Sequence, residues 1–169
     1  MSDYEPRIEQ HIPRLRRYAR ALTGERAAAD DLVQDTLERA WTKLRLWRPG
    51  SDLRAWLFTV MHNVYVNQVR ARASQPPRAH DDEALNIPDR ARQTDMLEVR
   101  DLDIVLSALP EEQREVLLLV ALEQLTYEET ARALGIPIGT VMSRLSRARE
   151  RLRRLMVGMP EAAGLRVIK

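Results

Sequence analysis

Apolar residues recur every three or four positions along almost the whole chain, and no stretch alternates convincingly with a period of two. That spacing marks helices that bury one face each and leaves no strand pattern to build a sheet. The sharpest instance lies in 138–156, where Val141, Leu145, Ala148, Leu152 and Leu155 step by four, three, four and three. The opposite face of the same helix carries Ser143, Arg144, Arg147, Arg151 and Arg154, so a basic ridge runs along the side that the core does not claim. The expected fold class is all-α.

Punctuation along the sequence divides these helices into two groups. Pro13 suits the first turn of a helix running to about Leu22 and stopped by Thr23-Gly24. A second helix is expected from about Ala27 to Leu44, with Leu32, Leu37, Ala40 and Leu44 inward, and a third from Leu53 to about Arg72 after the break at Pro49-Gly50-Ser51. Trp41, beside Ala40, is expected in the apolar sector, and Tyr18, Phe58 and Tyr65 in the core. Residues 73–93 hold Pro76-Pro77, Asp81-Asp82-Glu83 and Pro88-Asp89 with no sustained period, which reads as a flexible linker. The expectation is therefore two small helical domains, 1–72 and 94–169, joined by 73–93.

In the second domain Pro110-Glu111-Glu112 reads as a helix start, because proline suits the first turn and carboxylates suit the positive end of the helix dipole. Thr126-Tyr127-Glu128-Glu129 has the Thr-x-x-Glu spacing of a capping box, and the short helix it opens ends near Leu134-Gly135. A capped short helix, a tight turn at Gly135-Ile136-Pro137 and a basic second helix, in that order, make a helix-turn-helix. An arginine-rich face alone could be a solvated surface; in this setting it is read as a ridge for a DNA major groove.

Charge supports that reading by its placement. The chain has 27 basic and 25 acidic side chains, a net charge of only +2, yet segment 138–156 holds six arginines against Glu150 alone, and segment 101–129 holds eight acids against Arg114 alone. There is no cysteine, which excludes disulfides, thiol chemistry and cysteine-bound zinc. His11, His62 and His80 sit on separate segments without metal-ligand spacing, and there is no glycine-rich phosphate loop, so no catalytic set, metal or cofactor is expected. The longest strongly apolar run, Val116 to Leu122, is too short to span a bilayer, and a soluble, cytoplasmic chain is expected.

The stretch "LPEEQREVLLLVALEQLTYEETARALGIPIGTVMSRLSRARERLRRLM", residues 109–156, resembles region 4 of bacterial RNA polymerase sigma factors of the extracytoplasmic-function (ECF) group. "YARALTGERAAADDLVQDTLERAW", residues 18–41, is similar to sigma regions 2.1–2.2, and "DLRAWLFTVMHNVYVNQVRAR", residues 52–72, to regions 2.3–2.4. The resemblance implies a region 2 bundle and a region 4 helix-turn-helix. It also implies contact with the −35 promoter element from Thr140, Met142, Ser143, Arg144, Ser146, Arg147 and Arg149.

Asp31, Gln34, Asp35 and Glu38 share one face of the second helix, where like charges four apart repel mildly. Taken alone this is either a solvated acidic face or a docking surface; the resemblance implies docking on core RNA polymerase. Trp56, Asn63 and Arg70 recur every seven residues on the third helix with Thr59 and Asn67 between, which by spacing is either a wet surface or a hydrogen-bonding stripe. By resemblance this helix and the preceding loop engage the −10 element, through Trp47, Arg48, Ser51, Asp52, Arg54, Asn63, Asn67 and Arg70. Family members often carry Arg-Asn with Asp four positions after that Asn; here the motif reads His62-Asn63 with Asn67 in the Asp place.

The resemblance implies a two-part promoter, whose boxes lie roughly 70 Å apart at two helical turns, and a 73–93 linker extends to about that length. It further implies promoter-specific initiation with core polymerase, help in opening the DNA, and control by an anti-sigma factor. Two other readings stay open from the residues: a polymerase-independent helix-turn-helix regulator with a dimerisation or sensor bundle, and a protein-interaction adaptor.

Overall fold

The structure, a computed structural model, describes residues 7–75 and 101–157. The linker core and the helical pattern expected from Thr94 to residue 100 lie outside the described residues. A 3-10 turn, Ile8–His11, leads into α1 (Ile12–Thr23), followed by α2 (Arg26–Lys43), a second 3-10 turn (Leu44–Leu46) and α3 (Leu53–Ala73). The second unit comprises α4 (101–107), α5 (Glu111–Leu117) continuing through a π turn (Leu118–Leu122), α6 (Tyr127–Leu134) and α7 (Ile138–Val157).

Local chemistry sets these boundaries. Pro13 falls in the first turn of α1, and Gly24 ends that helix at φ 72°, a conformation an L side chain rarely adopts. The Asp52 carboxylate caps α3 by accepting from the backbone N–H groups of Arg54 (2.9 Å) and Ala55 (3.3 Å). At α6 the Thr126 hydroxyl accepts from Glu129 N–H at 3.1 Å while the Glu129 carboxylate accepts from Thr126 N–H at 2.8 Å, so both halves of the capping box form. Pro110 is the residue before α5 rather than its first turn. Thr126→Ala should lower stability by about 1 kcal/mol, read as a shifted urea midpoint with an unchanged slope; no shift would mean that the cap contributes nothing.

The bundle core is built from Leu15, Tyr18 and Leu22 of α1, Leu32, Val33 and Ala40 of α2, and Leu57, Phe58, Met61 and Val64 of α3, all buried. Tyr18 and Phe58 meet edge to face, ring centroids 5.1 Å apart, and burial pushes the Tyr18 phenol well above its ordinary range. Leu37 and Leu44 are partly buried against this core. Trp41 departs from expectation, being 59% exposed. One residue past Ala40 is a rotation of about 100° on a helix, which carries the indole out of the buried sector to the side of Gln34 and Glu38.

In the second unit Val141, Leu145 and Ala148 are buried and Leu152 partly so, seating α7 on α5 and α6. Gly135, at φ 65°, makes the turn between α6 and α7. The two units also pack together: α6 lies along α3, the π turn lies against α1, and one apolar cluster runs through both. The π turn accounts for the apolar run at 116–122. Leu118 and Leu119 are buried, and Val120 and Leu122 partly so, because this turn faces its own helix-turn-helix and the neighbouring bundle, with Ala121 left exposed. It closes with Glu123 N–H donating to Leu118 O at 3.0 Å and Gln124 at φ 56°, which turns the Glu123 side chain inward.

Candidate nucleic-acid interface

α7 presents its basic ridge to solvent. Arg147, Arg149, Arg151 and Arg154 are exposed, and Arg144, whose side chain is 25% exposed, sits 3.6 Å from the Glu112 carboxylate. Glu150 takes Arg154 at 3.3 Å and Arg153 at 3.5 Å, both on the helix surface where such pairs are weak. Near the start of the helix Gly139, Ser143 and Ser146 are exposed and short, and a Cβ added at Gly139 would meet nothing within 4 Å. Thr140 is half-buried, Met142 is exposed, and the Ser143 hydroxyl donates back to Thr140 O at 3.2 Å. All seven −35 candidates therefore lie within the first twelve residues of one helix, off its buried stripe of Val141, Leu145 and Ala148. Between α5 and α7 a groove is lined by Gln113, Ser146, Arg147, Glu150, Arg151 and Arg154.

The −10 candidates fall into two groups. Arg48, Ser51, Asp52 and Arg54 are close in the loop and first turn of α3: Ser51 donates to Arg48 O at 2.6 Å, and the Arg54 guanidinium lies 3.5 Å from Asp52. Trp47 is half-buried, its indole N–H buried with no hydrogen-bond partner among the described residues. Asn63, Asn67 and Arg70 are exposed on α3, beginning roughly 15 Å farther along the helix at about 1.5 Å per residue. Asn67 lines a groove between α2 and α3 with Asp35, Glu38, Arg39, Thr42 and Gln68, which places it beside the acidic face rather than the loop. Asp31, Gln34, Asp35 and Glu38 are all exposed along α2, and Asp35 accepts from Gln68 Nε2 at 2.6 Å.

Sequence reasoning missed the seam between the two units. Arg17 reaches the buried Glu123 carboxylate at 3.2 Å, and Arg54 donates to Glu123 O at 3.2 Å while lying 4.0 Å from Glu129. His62 Nδ1 is 2.7 Å from Glu115, and the Tyr65 hydroxyl donates to Glu111. Burial, then the hydrogen bond to Glu111 and its charge, holds the Tyr65 phenol well above its ordinary range, so it stays a donor. Arg114 donates to four backbone carbonyls: Leu106 (2.8 Å), Leu22 (2.9 Å), Leu109 (2.9 Å) and Ser107 (3.2 Å). Leu22 belongs to α1, so this one guanidinium ties the α4–α5 turn to the other unit. Arg54, a −10 candidate, is occupied by this seam.

A capped helix-turn-helix with an exposed arginine ridge, paired with a three-helix bundle bearing an acidic stripe, defines a two-unit helical DNA-binding protein. The profile described as the Sigma2 domain of PhyR matches residues 8–62, and that of Sigma-70, region 4, matches residues 100–152. The chain is 39% identical over 145 residues to the ECF RNA polymerase sigma factor EcfG of Rhodopseudomonas palustris, covering 86% of this chain and 80% of that protein. It is 31% identical to the ECF RNA polymerase sigma factor SigM of Mycobacterium tuberculosis, covering 90% of this chain and 76% of that one. Among solved structures, the sigma factor RpoE in complex with the anti-sigma factor NepR from Bartonella quintana superposes with a TM-score of 0.73 at 31% identity, covering 95% of this chain and 100% of that chain. The chain belongs to the ECF RNA polymerase sigma factors, a family of transcription initiation factors.

Proposed function

We propose that this chain binds core RNA polymerase in the cytoplasm and directs it to promoters with −35 and −10 elements, aiding DNA opening without catalysing a reaction of its own and without a metal or cofactor. The observation that carries the reading is the ridge of Arg144 and Arg147 on α7, the helix that follows the capped α6, in a chain whose other unit exposes Asp31, Gln34, Asp35 and Glu38. In this reading 1–72 docks on polymerase and the −10 element, 94–169 takes the −35 element, and 73–93 links them. Trp47, Arg48, Ser51, Asp52, Arg54, Asn63, Asn67 and Arg70 are its −10 residues. Because Arg54 is held by Glu123 and Glu129 in the packed arrangement, the units separate when both elements are engaged. An anti-sigma factor, as in the NepR complex of the Bartonella relative, holds the chain off polymerase.

Run-off transcription with purified core polymerase, on promoter fragments enriched from genomic DNA, tests this; transcripts that start at defined sites only when the chain is added are expected. Asp35→Lys with Glu38→Lys should weaken capture of core polymerase at least tenfold while far-UV circular dichroism is unchanged, and equal capture would remove the acidic face from the docking surface. The match of the first unit to the Sigma2 domain of PhyR, an anti-anti-sigma factor found complexed with the anti-sigma factor NepR in Bartonella quintana, favours one second reading, an adaptor that captures an anti-sigma protein instead of polymerase. An adaptor would bind that protein and give no transcripts.

A further inference from the structure

The outward face of the recognition helix is not uniformly polar. Ile138 and Met142, four residues apart and so on one side of α7, are 44% and 52% exposed, in the two turns that a helix-turn-helix places deepest in the groove. Their neighbours on that face are short: Gly139, Ser143 and Ser146. The methionine therefore stands above the surface around it. Arg147 and Arg149 flank it with exposed positive charge that suits phosphates on either side of a groove.

The major groove offers one methyl group, the C5-methyl of thymine, among the hydrogen-bond donors and acceptors of the base edges. Two exposed apolar side chains on a polar, cationic helix face suit that methyl better than any hydrogen-bonding edge. We propose that Met142 and Ile138 read thymine methyl groups in the −35 element, so that part of the promoter preference of this chain is hydrophobic. This rests on the sigma-factor reading above.

The test uses holoenzyme reconstituted with the full chain and a promoter that it selects from randomised −35 duplexes. Each thymine of the selected −35 element is replaced in turn by uracil, which deletes the methyl and keeps the hydrogen-bonding edges. Burying one methyl contributes a factor of roughly three to five in affinity, so at least one replacement should weaken binding by that much. Met142→Ala should bind the thymine and uracil duplexes equally, and Ile138→Ala should lose the difference at a neighbouring position. The idea is overturned if the selected element contains no thymine on either strand, if no uracil replacement changes binding twofold, or if both variants keep the full difference. Those outcomes leave the sigma-factor reading standing wherever Arg144→Ala with Arg147→Ala lowers promoter binding by roughly two orders of magnitude. A holoenzyme that selects no promoter at all sinks both.

Discussion

Replacing Arg144 and Arg147 together with alanine is expected to lower promoter-directed run-off transcription by roughly two orders of magnitude. Each arginine that pairs with a guanine edge contributes about 1–3 kcal/mol of discrimination, and about 1.4 kcal/mol is a factor of ten. Stability should hardly change. Arg147 is exposed on α7, and the ion pair of Arg144 with Glu112, whose side chain is 72% exposed, is a surface interaction of small worth. The salt dependence should flatten as well, the slope of log affinity against log salt falling by roughly 0.9 for each phosphate that is no longer neutralised. Unchanged transcription from a folded double variant would remove the ridge from promoter recognition.

Arg114→Ala should have the largest effect on stability of any single surface-accessible change, a loss of about 3 kcal/mol. Hydrogen bonds from a charged donor contribute about 1.5–3 kcal/mol each and do not add fully; Arg114 makes four, to Leu22, Leu106, Ser107 and Leu109. For a chain of this size that loss corresponds to a melting point lower by roughly 10 °C, measured by circular dichroism. Arg114→Lys should rescue little of it, because an ammonium lacks the planar fork that reaches several carbonyls at once. A melting point within about 2 °C of the parent protein, under the roughly 2–4 °C that 1 kcal/mol is worth at this size, would show that the four hydrogen bonds are incidental.

The helix-turn-helix was legible because each of its parts is a local instruction. Thr126 and Glu129 are three residues apart, Gly135 ends the helix they cap, and the stripe from Val141 to Leu152 fixes which side of α7 faces inward. The bundle was legible for the same reason. Periodicity assigns a face to each residue but not a neighbour, which is why Asn67, grouped by spacing with Asn63, turned out to line a groove with Asp35 and Glu38. Trp41 shows the sharper limit: hydrophobicity and adjacency to Ala40 suggested burial, and a rotation of one residue overrode both. The seam was hidden because its partners are remote in sequence, Arg17 and Glu123 being separated by 106 positions. The signal that could have revealed it was the run at 116–122, apolar on every side, which needs a second surface to bury it.

Glu123 meets the bundle with its side chain fully buried and one carboxylate oxygen accepting from Arg17 at 3.2 Å. A carboxylate so placed forgoes hydration that it would recover the moment the two halves came apart. The junction thus behaves as a clasp rather than a weld: geometry holds it shut against a standing pull from water, and a competitor for either half has only part of the closing energy to overcome.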